Sequence, residues 1–500
     1  MLCFKQHSLL YLSLHMQTSH RIPIVFICIS LVAAAAGLWL YNPLPLYFLN
    51  DDFIHIPLSK AGVLFQRKSF RPICDLSIAL DYFFWKKEAV GYHFTNLLMH
   101  ISNTLLVYVL SVRLYEKYLT GANKSTCILI AAFFFIYPFH SETIYWIIGR
   151  SGSLGAVFFL SATIFYLRRN DKSSHFLLSL FLFSIGLLTY ESVWAFPLVA
   201  GCISWLDRTN GQSTFRKEAK YLITIVIVFF IFLLFRYAVL GEIIGNYEAA
   251  GFKTFDIKTL FLNGVRLFVR SFVPPVQSIL VFYASAFAII TILIPAFISL
   301  RKNKEAIVFA GFLFVVFIAL LLPYLSLGIN THSSEGERFL YLPSVFVCML
   351  TVHLIFASIK KMNTRIILFA LIMVYSIYFL FQSKGNYTTA SQITKLTVHE
   401  LNKIEGKTRL FVDSLPQDCN GAIVFRLGFY EATKWMKRPP ALENIFVSSP
   451  RENIRKSGED YKVIYKDSSF LRSRKSAENY FDSDTDVAFI YTDSALIVIK

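Results

Sequence analysis

Apolar runs of about twenty residues recur along the chain and constrain its fold more than any other feature. A hydrocarbon core of roughly 30 Å is crossed by about twenty residues of α-helix, so runs of this kind indicate membrane spans. Charged residues make up only 16% of the 500 residues, whereas soluble proteins carry about a quarter. We therefore predict a mainly α, polytopic membrane helical bundle. The runs lie near 22–41, 96–112, 126–139, 153–167, 176–190, 192–206, 221–240, 276–299, 305–323, 338–358 and 364–382, which gives about eleven spans.

Every second connection between these runs is basic, and lysine and arginine concentrate in cytoplasmic loops. The basic connections carry Arg113, Lys117 and Lys124; Arg168, Arg169 and Lys172; Arg208, Arg216, Lys217 and Lys220; Arg301, Lys302 and Lys304; and Lys360, Lys361 and Arg365. The net charge of +17 then reflects topology and contact with anionic membrane lipid, and we expect no nucleic-acid partner.

The pattern divides the chain into three parts. Residues 1–21 are predicted to be a cytoplasmic extension, 22–383 the transmembrane domain, and 384–500 a small extracytoplasmic α/β domain. Within the second part, the first outer loop covers 42–95, and an amphipathic stretch near 257–273 predicts a helix in the outer membrane interface. Strand-like runs in the third part lie at 409–413, 421–426, 462–465, 486–491 and 495–499, after a helix near 388–404.

The first apolar run has a second interpretation. Lys5 and Arg21 precede it and Ala33–Ala36 lie within it, a pattern that a cleaved secretory signal also shows. The run continues through Leu38–Tyr41, whose aromatic end favours a retained span.

Several kinds of site are excluded by their missing motifs. The seven cysteines are scattered without a CxxC pair, so neither a zinc knuckle nor a disulfide framework is predicted. The sequence contains no HExxH, Walker or GxSxG motif, so a zinc protease, a nucleotide-using site and a nucleophile elbow are unsupported.

Asp51 and Asp52 stand directly after the first apolar run. Carboxylates at a membrane boundary are costly and are candidates for function. One of them could act as a general base toward a hydroxyl, or the pair could bind a divalent cation such as Mg²⁺ or Mn²⁺. The alternative is a charged helix terminus that anchors the span.

Arg71 and two histidines follow on the same predicted outer side. A guanidinium matches phosphate oxygens, so Arg71 could hold a phosphate, or it could contact lipid headgroups. His93 and His100 are seven residues apart and lie on similar faces of a helix. They could donate to a phosphate or orient an acid, although a single histidine is more often a structural hydrogen-bonding group.

Further polar residues interrupt later apolar runs on that side. His140, Glu142 and Arg150 form one cluster, in which Glu142 and Arg150 need partners or water at that depth; a mutual ion pair is the alternative to a substrate site. Glu191 ends another run. Arg338 begins the tenth run, at the level of lipid headgroups.

The order of these motifs resembles the GT-C superfamily of integral-membrane glycosyltransferases. The most similar branches are the protein O-mannosyltransferases and the transmembrane O-mannosyltransferases that carry tetratricopeptide repeats. The sequence shows no such repeats after its membrane part. The residues that carry the resemblance are Asn50–Asp52, Phe70–Pro72, His93–His100, Phe139–Arg150, Tyr190–Glu191 and Glu337–Ser344.

The resemblance implies that a polyprenyl- or dolichyl-phosphate sugar is the donor. Transfer would take place on the non-cytoplasmic face, with inversion, to a hydroxyl of a protein, lipid or glycan. It implies an acid of the first outer loop as the catalytic base, with Asp52 preferred and Asp51 the alternative. The leaving phosphate would face Arg71, Arg150 or Arg338. A bacterial inner membrane is preferred to the endoplasmic reticulum.

Two other classes of function are weighed against this one. A transporter or flippase of lipid-linked glycans would place ionisable residues near the midplane and show repeats, whereas the acids and arginines here lie at the outer ends of the runs. A non-catalytic membrane scaffold would not need Asp52, Arg71 and Arg338 on one face.

Overall fold

The computed structural model describes residues 35–60, 70–121, 123–241, 256–404, 409–436, 444–448, 451–454, 461–466 and 486–499. Residues 1–42 form one compact unit and residues 43–500 another. In the first unit, helix α1 is described over residues 35–40. The predicted extension 1–21, the signal-peptide interpretation and most of the run 22–41 lie outside the described residues.

The second unit is predominantly helical. Its α-helices are α2 Asp52–Lys60, α3 Pro72–Trp85, α4 Ala89–Tyr118, α5 Lys124–Phe135, α6 Ser141–Tyr145, α7 Arg150–Leu167, α8 Ser173–Leu187, α9 Phe196–Thr209, α10 Phe215–Leu240, α11 Ile257–Arg270, α12 Ile279–Leu300, α13 Lys304–Leu321, α14 Pro343–Ser358, α15 Met362–Asn402 and α16 Phe429–Met436. Short 3₁₀ turns cover Pro138–His140, Glu191–Ala195, Leu322–Tyr324 and Glu337–Leu340.

Six helices in the described part of the chain are long and apolar enough to cross a membrane, or seven if the bent pair Lys124–Phe135 and Pro138–Tyr145 is one span. The chain is therefore a multi-pass membrane protein. The count of about eleven spans is not confirmed. Several predicted runs form shorter helices, such as α8 with 15 residues, α9 with 14 and α14 with 16. An apolar run alone does not distinguish a short buried helix from a full span.

One end of the bundle collects several of the basic connections around buried acids. Arg169 contacts Asp207 at 2.7 Å and Glu218 at 2.6 Å, and Lys117 contacts Asp207 at 2.9 Å. Arg169, Asp207 and Glu218 are almost fully buried. Each charge is paired, as burial in a low-dielectric environment requires. Four helices (α4, α7, α9 and α10) are joined at this end.

The C-terminal residues form a mixed sheet. Its strands are β1 Arg409–Asp413, β4 Asn444–Ser448, β6 Lys462–Lys466, β7 Asp486–Tyr491 and β8 Ala495–Ile499, in the order β4-β1-β7-β8-β6. A smaller sheet holds β2 Pro416–Cys419, β3 Ala422–Ile423 and β5 Arg451–Asn453. Strands β7 and β8 are buried throughout, as central strands covered on both faces are. Both are apolar except for Asp486 at the start of β7, which pairs with Arg409 at 2.7 Å.

Two helices bear on the predicted domain boundaries. Helix α15 runs without interruption through the boundary predicted at 383–384. The helix expected near 257–273 is α11, which Asp256 caps by accepting hydrogen bonds from the backbone N–H groups of Lys258 and Thr259. The location of α11 in the membrane interface stays a prediction, as do the domain limits.

Candidate functional site

The two adjacent acids of the first outer loop have different surroundings. Asp52 is fully buried, and its Oδ2 and Oδ1 accept hydrogen bonds from the backbone N–H groups of Leu49 at 2.9 Å and Ile148 at 3.2 Å. Asp51 pairs through Oδ2 with His55 at 3.4 Å, and its buried Oδ1 has no hydrogen-bond partner. The carboxylate of Asp52 therefore holds the loop in place, and the carboxylate of Asp51 has one oxygen without a hydrogen bond.

Asp52 also has a distinct electrostatic environment. Burial, and then the neighbouring charge of Asp51, raise the pKa of Asp52 well above its ordinary value, against the opposing effect of the two backbone donors and of Arg150. A buried acid that accepts two N–H bonds and has a raised pKa is suited to holding backbone in place. Asp51 keeps 15% of its side chain exposed, whereas Asp52 has no exposed surface.

Residues 424–428 of the C-terminal segment pack against the acid-bearing loop. The N–H of Asn50 donates to the carbonyl of Val424 at 2.8 Å, and the N–H of Leu427 donates to Oδ1 of Asn50 at 2.7 Å. The ring of Phe425 stacks on Phe53, with centroids 6.3 Å apart. Gly428 has φ +79°, and a Cβ there would lie 2.1 Å from the Asn50 carbonyl oxygen. Only glycine fits this close approach of two backbones.

A second set of polar residues joins the 138–150 region to the loop before α14. Glu142 accepts from both the backbone N–H of Arg338, at 2.8 Å, and its guanidinium. The residues that precede Glu142 and Arg338 in the sequence also contact each other, because Ser141 donates to Glu337 at 2.9 Å. Arg270 of α11 also contacts Glu337, at 2.7 Å. The ion pair of Glu142 with Arg150, which the sequence left as the alternative to a substrate site, is absent, because Glu142 pairs with Arg338 and Arg150 with Asp81.

Arg71 and Glu191 form a separate pair. The guanidinium of Arg71 donates to Oε2 of Glu191 at 2.8 Å and 3.1 Å, and it lies over the ring of Tyr190, 4.6 Å from the centroid. Arg236, buried within α10, lies 3.7 Å from Oε1 of the same glutamate. Two arginines thus share one carboxylate at this point.

A row of aromatic rings connects the two arginine–glutamate pairs. Tyr190 lies 6.3 Å from Tyr324, and Tyr324 stacks on Phe339 at 4.6 Å. The guanidinium of Arg338 lies 4.6 Å from the ring of Phe339. Arg71 and Arg338 therefore stand at opposite ends of one aromatic surface, although they are far apart in the sequence.

Arg150 does not line an open site. It is fully buried, contacts Asp81 at 2.5 Å and donates to the carbonyl of Tyr92 at 3.0 Å. The exposed fraction of the side chain is 0% for Arg150, 12% for Arg71 and 23% for Arg338. Of the three arginines, Arg338 is thus the most accessible to a ligand, and Arg150 acts on Asp52 as a fixed neighbouring charge.

The three histidines are buried and hydrogen-bonded. His93 contacts the carbonyl of Tyr47 at 3.4 Å, and His100 contacts the hydroxyl of Tyr341 at 2.9 Å and the carbonyl of Phe135 at 3.0 Å. His140 contacts Oγ of Ser344 at 2.8 Å. The contacts of His100 and His140 tie α4 and the 138–150 region to the start of α14, and the contact of His93 ties α4 to the outer loop at Tyr47, which is a structural use of each ring.

The donor set does not fit a divalent cation. Within the described ranges, no group of three or more His, Cys, Asp and Glu side chains is placed to hold a metal ion. Next to Asp51 the structure shows His55, a nitrogen donor, whereas Mg²⁺ prefers oxygen ligands.

Sequence reasoning missed two residues of the site. His55 follows Asp51 by four positions, the spacing that brings side chains together on a helix. Arg236 lies inside the apolar run 221–240, where a charge is itself a signal of a buried partner.

The chain is similar in sequence to protein O-mannosyl-transferases of animals. It is 26% identical over 219 residues to one from Caenorhabditis elegans, which is 44% of this chain and 29% of that protein. It is 32% identical over 175 residues to one from Xenopus laevis, which is 34% of this chain and 18% of that protein. The chain thus spans less than a third of the length of these relatives. No family model matches it.

Among solved structures, ArnT from Cupriavidus metallidurans superposes over 95% of this chain and 94% of its own, with a TM-score of 0.44 and 9% identity. The Archaeoglobus fulgidus oligosaccharyltransferase superposes over 88% of this chain and 61% of its own, with a TM-score of 0.44 and 12% identity. Superpositions at these scores do not establish a shared fold. The sequence matches confirm the predicted resemblance to the protein O-mannosyltransferases.

Proposed function

We propose that this chain, a relative of the protein O-mannosyl-transferases, is a membrane glycosyltransferase. Its donor is a polyprenyl- or dolichyl-phosphate sugar, and its acceptor is a hydroxyl of a protein, lipid or glycan on the non-cytoplasmic face. The observation that carries this proposal is the acid pair of the first outer loop, in which Asp52 is locked by backbone donors while Oδ1 of Asp51 is unbonded. Two carboxylates in unlike environments are suited to different roles.

In the proposed reaction, the acceptor oxygen attacks the anomeric carbon of the donor sugar as the bond from that carbon to the phosphate oxygen breaks. The acceptor proton passes to the carboxylate of Asp51, and the lipid phosphate departs with the electron pair of the broken bond. A single displacement of this kind inverts the anomeric configuration. On sequence alone, Asp52 was the preferred base. Asp51 is preferred here because both oxygens of Asp52 accept hydrogen bonds and its side chain has no exposed surface.

Charge that develops on the leaving phosphate needs fixed positive partners in a partly desolvated site. Arg338 suits this role best, since it is the most exposed of the three candidate arginines and is oriented by Glu142. Arg71 stands at the far end of the aromatic row and is oriented by Glu191. The aromatic rings between them, Tyr190, Tyr324 and Phe339, are buried and help to fix the positions of the two arginines.

The test uses the full chain in detergent with radiolabelled polyprenyl-phosphate mannose and polyprenyl-phosphate glucose. Release of lipid phosphate that depends on an added hydroxyl acceptor, and that is lost in Asp51→Asn, is the expected result. A matched variant, Asp171→Asn, removes an exposed acid from a basic connection and should keep full activity. Saturable binding of the lipid-linked sugar without any turnover would instead favour the transporter alternative.

The cellular membrane is not assigned by these observations. The relatives reported above are animal proteins, and the preference for a bacterial inner membrane over the endoplasmic reticulum stays a prediction. The extracytoplasmic side of the C-terminal residues also stays a prediction.

A further inference from the structure

A polar cavity of about 260 Å³ is lined by Glu337, the residue before Arg338. Its walls come from five separate parts of the chain: Phe139, residues 274–277 after α11, the loop 332–337, residues 379–386 of α15, and Asn420. Asn420 follows β2, so the C-terminal segment completes a site whose other walls belong to the membrane part. The aromatic ring of Phe139 closes one side.

The wall of the cavity is rich in side-chain amides. Gln277, Gln382, Asn386 and Asn420 all line it. An amide presents donors and an acceptor in one plane, which suits the paired donor and acceptor capacity of vicinal hydroxyl groups. Phe139 and Phe379 add ring faces against which the C–H groups of a sugar can pack.

The charges around the cavity disfavour an anion. Among the described residues that line it, none is a lysine or an arginine, and Glu337 contributes a carboxylate. Arg270 stands behind Glu337 and is fully buried against it, at 2.7 Å. Among these lining residues a phosphate would meet no lysine or arginine, whereas the side-chain amides can bind a neutral polyhydroxylated ligand.

The cavity is joined to the proposed reaction centre through consecutive residues. Glu337 accepts from Ser141, and the next residue on each side, Arg338 and Glu142, form the pair assigned to the leaving phosphate. Glu337, which lines the cavity, is therefore the sequence neighbour of the arginine that would hold the phosphate.

The position of Asn420 is fixed by tight packing. Its Nδ2 donates to Oδ1 of Asn386 at 3.3 Å, and its carbonyl accepts from Oγ of Ser334 at 3.4 Å. Gly421, at φ +94°, lies so close to Ser334 that a Cβ would be 2.4 Å from the Ser334 nitrogen. Backbone held in this way presents the Asn420 amide in a defined orientation.

We infer that this cavity binds one neutral sugar unit, which belongs either to the lipid-linked donor or to a glycosylated acceptor. The identification of the ligand as a sugar of the substrate rests on the proposed function. The C-terminal segment then takes part in substrate selection through Asn420. The amide-lined wall, the carboxylate of Glu337 and the two phenylalanine rings carry the inference.

The experiment measures binding of methyl α-D-mannopyranoside and methyl α-D-glucopyranoside to the full chain in detergent by saturation-transfer NMR. Wild type is compared with Asn420→Ala and Gln382→Ala. Gln212→Ala, an exposed amide that contacts Lys117 at the opposite, basic end, is the matched control. Each lining variant should weaken binding by about fivefold, since a lost hydrogen bond costs about 1 kcal/mol, and the control should not change it.

Kinetics of the same variants identify the source of the sugar. A rise in KM for the lipid-linked donor alone assigns the cavity to the donor, and a rise for a glycosylated acceptor alone assigns it to the acceptor. Either result supports the inference. The inference is overturned if wild type binds neither glycoside saturably, or if both lining variants bind like wild type. Wild type that binds a glycoside but catalyses no transfer would retain the cavity and reject the proposed reaction.

Discussion

Oδ2 of Asp52 accepts the N–H of Leu49 at 2.9 Å, three residues earlier in the chain, and this hydrogen bond closes the turn on which Asp51 stands. A second donor, the N–H of Ile148, reaches Oδ1 of Asp52 from the start of the α7 region. Asp52 therefore fixes the outer loop to the helical bundle. Asp51, the preceding residue, lies on the same turn. Part of its side chain is exposed, and its buried Oδ1 accepts no hydrogen bond.

We expect Asp51→Asn to lower the rate of sugar transfer by about 10²- to 10⁴-fold, the usual contribution of a general base. Its unfolding temperature should not change, because the amide keeps the size of the side chain. Transfer of radiolabelled sugar and thermal unfolding in detergent measure the two quantities.

Asp52→Asn is the comparison variant. Leu49 and Ile148 donate to different oxygens of Asp52, so the amide NH2 of asparagine would face one of these two N–H groups, and the free energy of unfolding should fall by about 1–3 kcal/mol. Loss of transfer in a stably folded Asp52→Asn protein, with Asp51→Asn fully active, would return the role of base to Asp52.

Gly428→Ala should lower both the unfolding temperature and kcat. The added Cβ would lie 2.1 Å from the Asn50 carbonyl oxygen, at a φ of +79° that side chains other than glycine rarely adopt. The displaced backbone is that of the acid-bearing loop. Gly311→Ala in α13, where a Cβ meets nothing within 4 Å, is the control and should leave both quantities unchanged. Equal kcat for the two variants would show that the C-terminal segment does not position the loop.

Arg338→Ala should destabilise the protein by about 1–3 kcal/mol, because the buried carboxylate of Glu142 then keeps only the backbone N–H of residue 338 as a donor. The double variant Glu142→Gln/Arg338→Ala should recover part of that loss in thermal unfolding. Its KM for the lipid-linked donor should nevertheless stay raised, since the guanidinium is missing from both proteins. A donor KM equal to that of wild type in the double variant would remove Arg338 from phosphate binding.

Stability should depend on pH through Glu337. Burial raises the pKa of Glu337 from 4.5 to about 7, against the opposing effects of Arg270 and Ser141. The folded protein therefore favours the protonated acid, and the resulting stabilisation is present below the unfolded value and is lost as the pH rises through about 7. In Glu337→Gln, the fall of the unfolding temperature between about pH 5 and about pH 8 should be smaller. An identical slope in the two proteins would contradict the assignment.

The predicted orientation can be tested by labelling from one side. In a cysteine-free background, Lys172→Cys should react with a membrane-impermeant maleimide only from the cytoplasmic face, and Gln277→Cys only from the other. Both positions are exposed in the structure. Reaction of both from the same face would overturn the alternation read from the basic connections.

Sequence reasoning was most informative where one strong pattern determines the structure. The apolar runs located the helices, and the amphipathic run near 257–273 predicted α11, since its cap at Asp256 and its end before Pro274 are local signals. The runs did not give the number of spans. Whether a run such as 176–190 crosses the membrane depends on its length and on neighbours that are distant in the sequence.

The candidate site was predicted as a set of residues but not as a set of pairs. Glu142 and Arg150 are close in the sequence, yet their ion-pair partners are Arg338 and Asp81. These pairings connect parts of the chain that only the assembled bundle brings together. The same limit applies to the acids, because the N–H of Ile148 that distinguishes Asp52 from Asp51 lies 96 residues away.

Helix α15 is continuous over 41 residues, or about 60 Å at 1.5 Å per residue, twice the thickness of a hydrocarbon core. Its first half is apolar, and its second half carries Asn386 into the cavity and packs against the C-terminal residues. In a continuous helix, a change in helical phase at one residue rotates every residue beyond it. One residue inserted near Gly385 would turn everything beyond it by about 100°, and so would turn Asn386 away from Gln382 and Glu337 without altering any of these side chains.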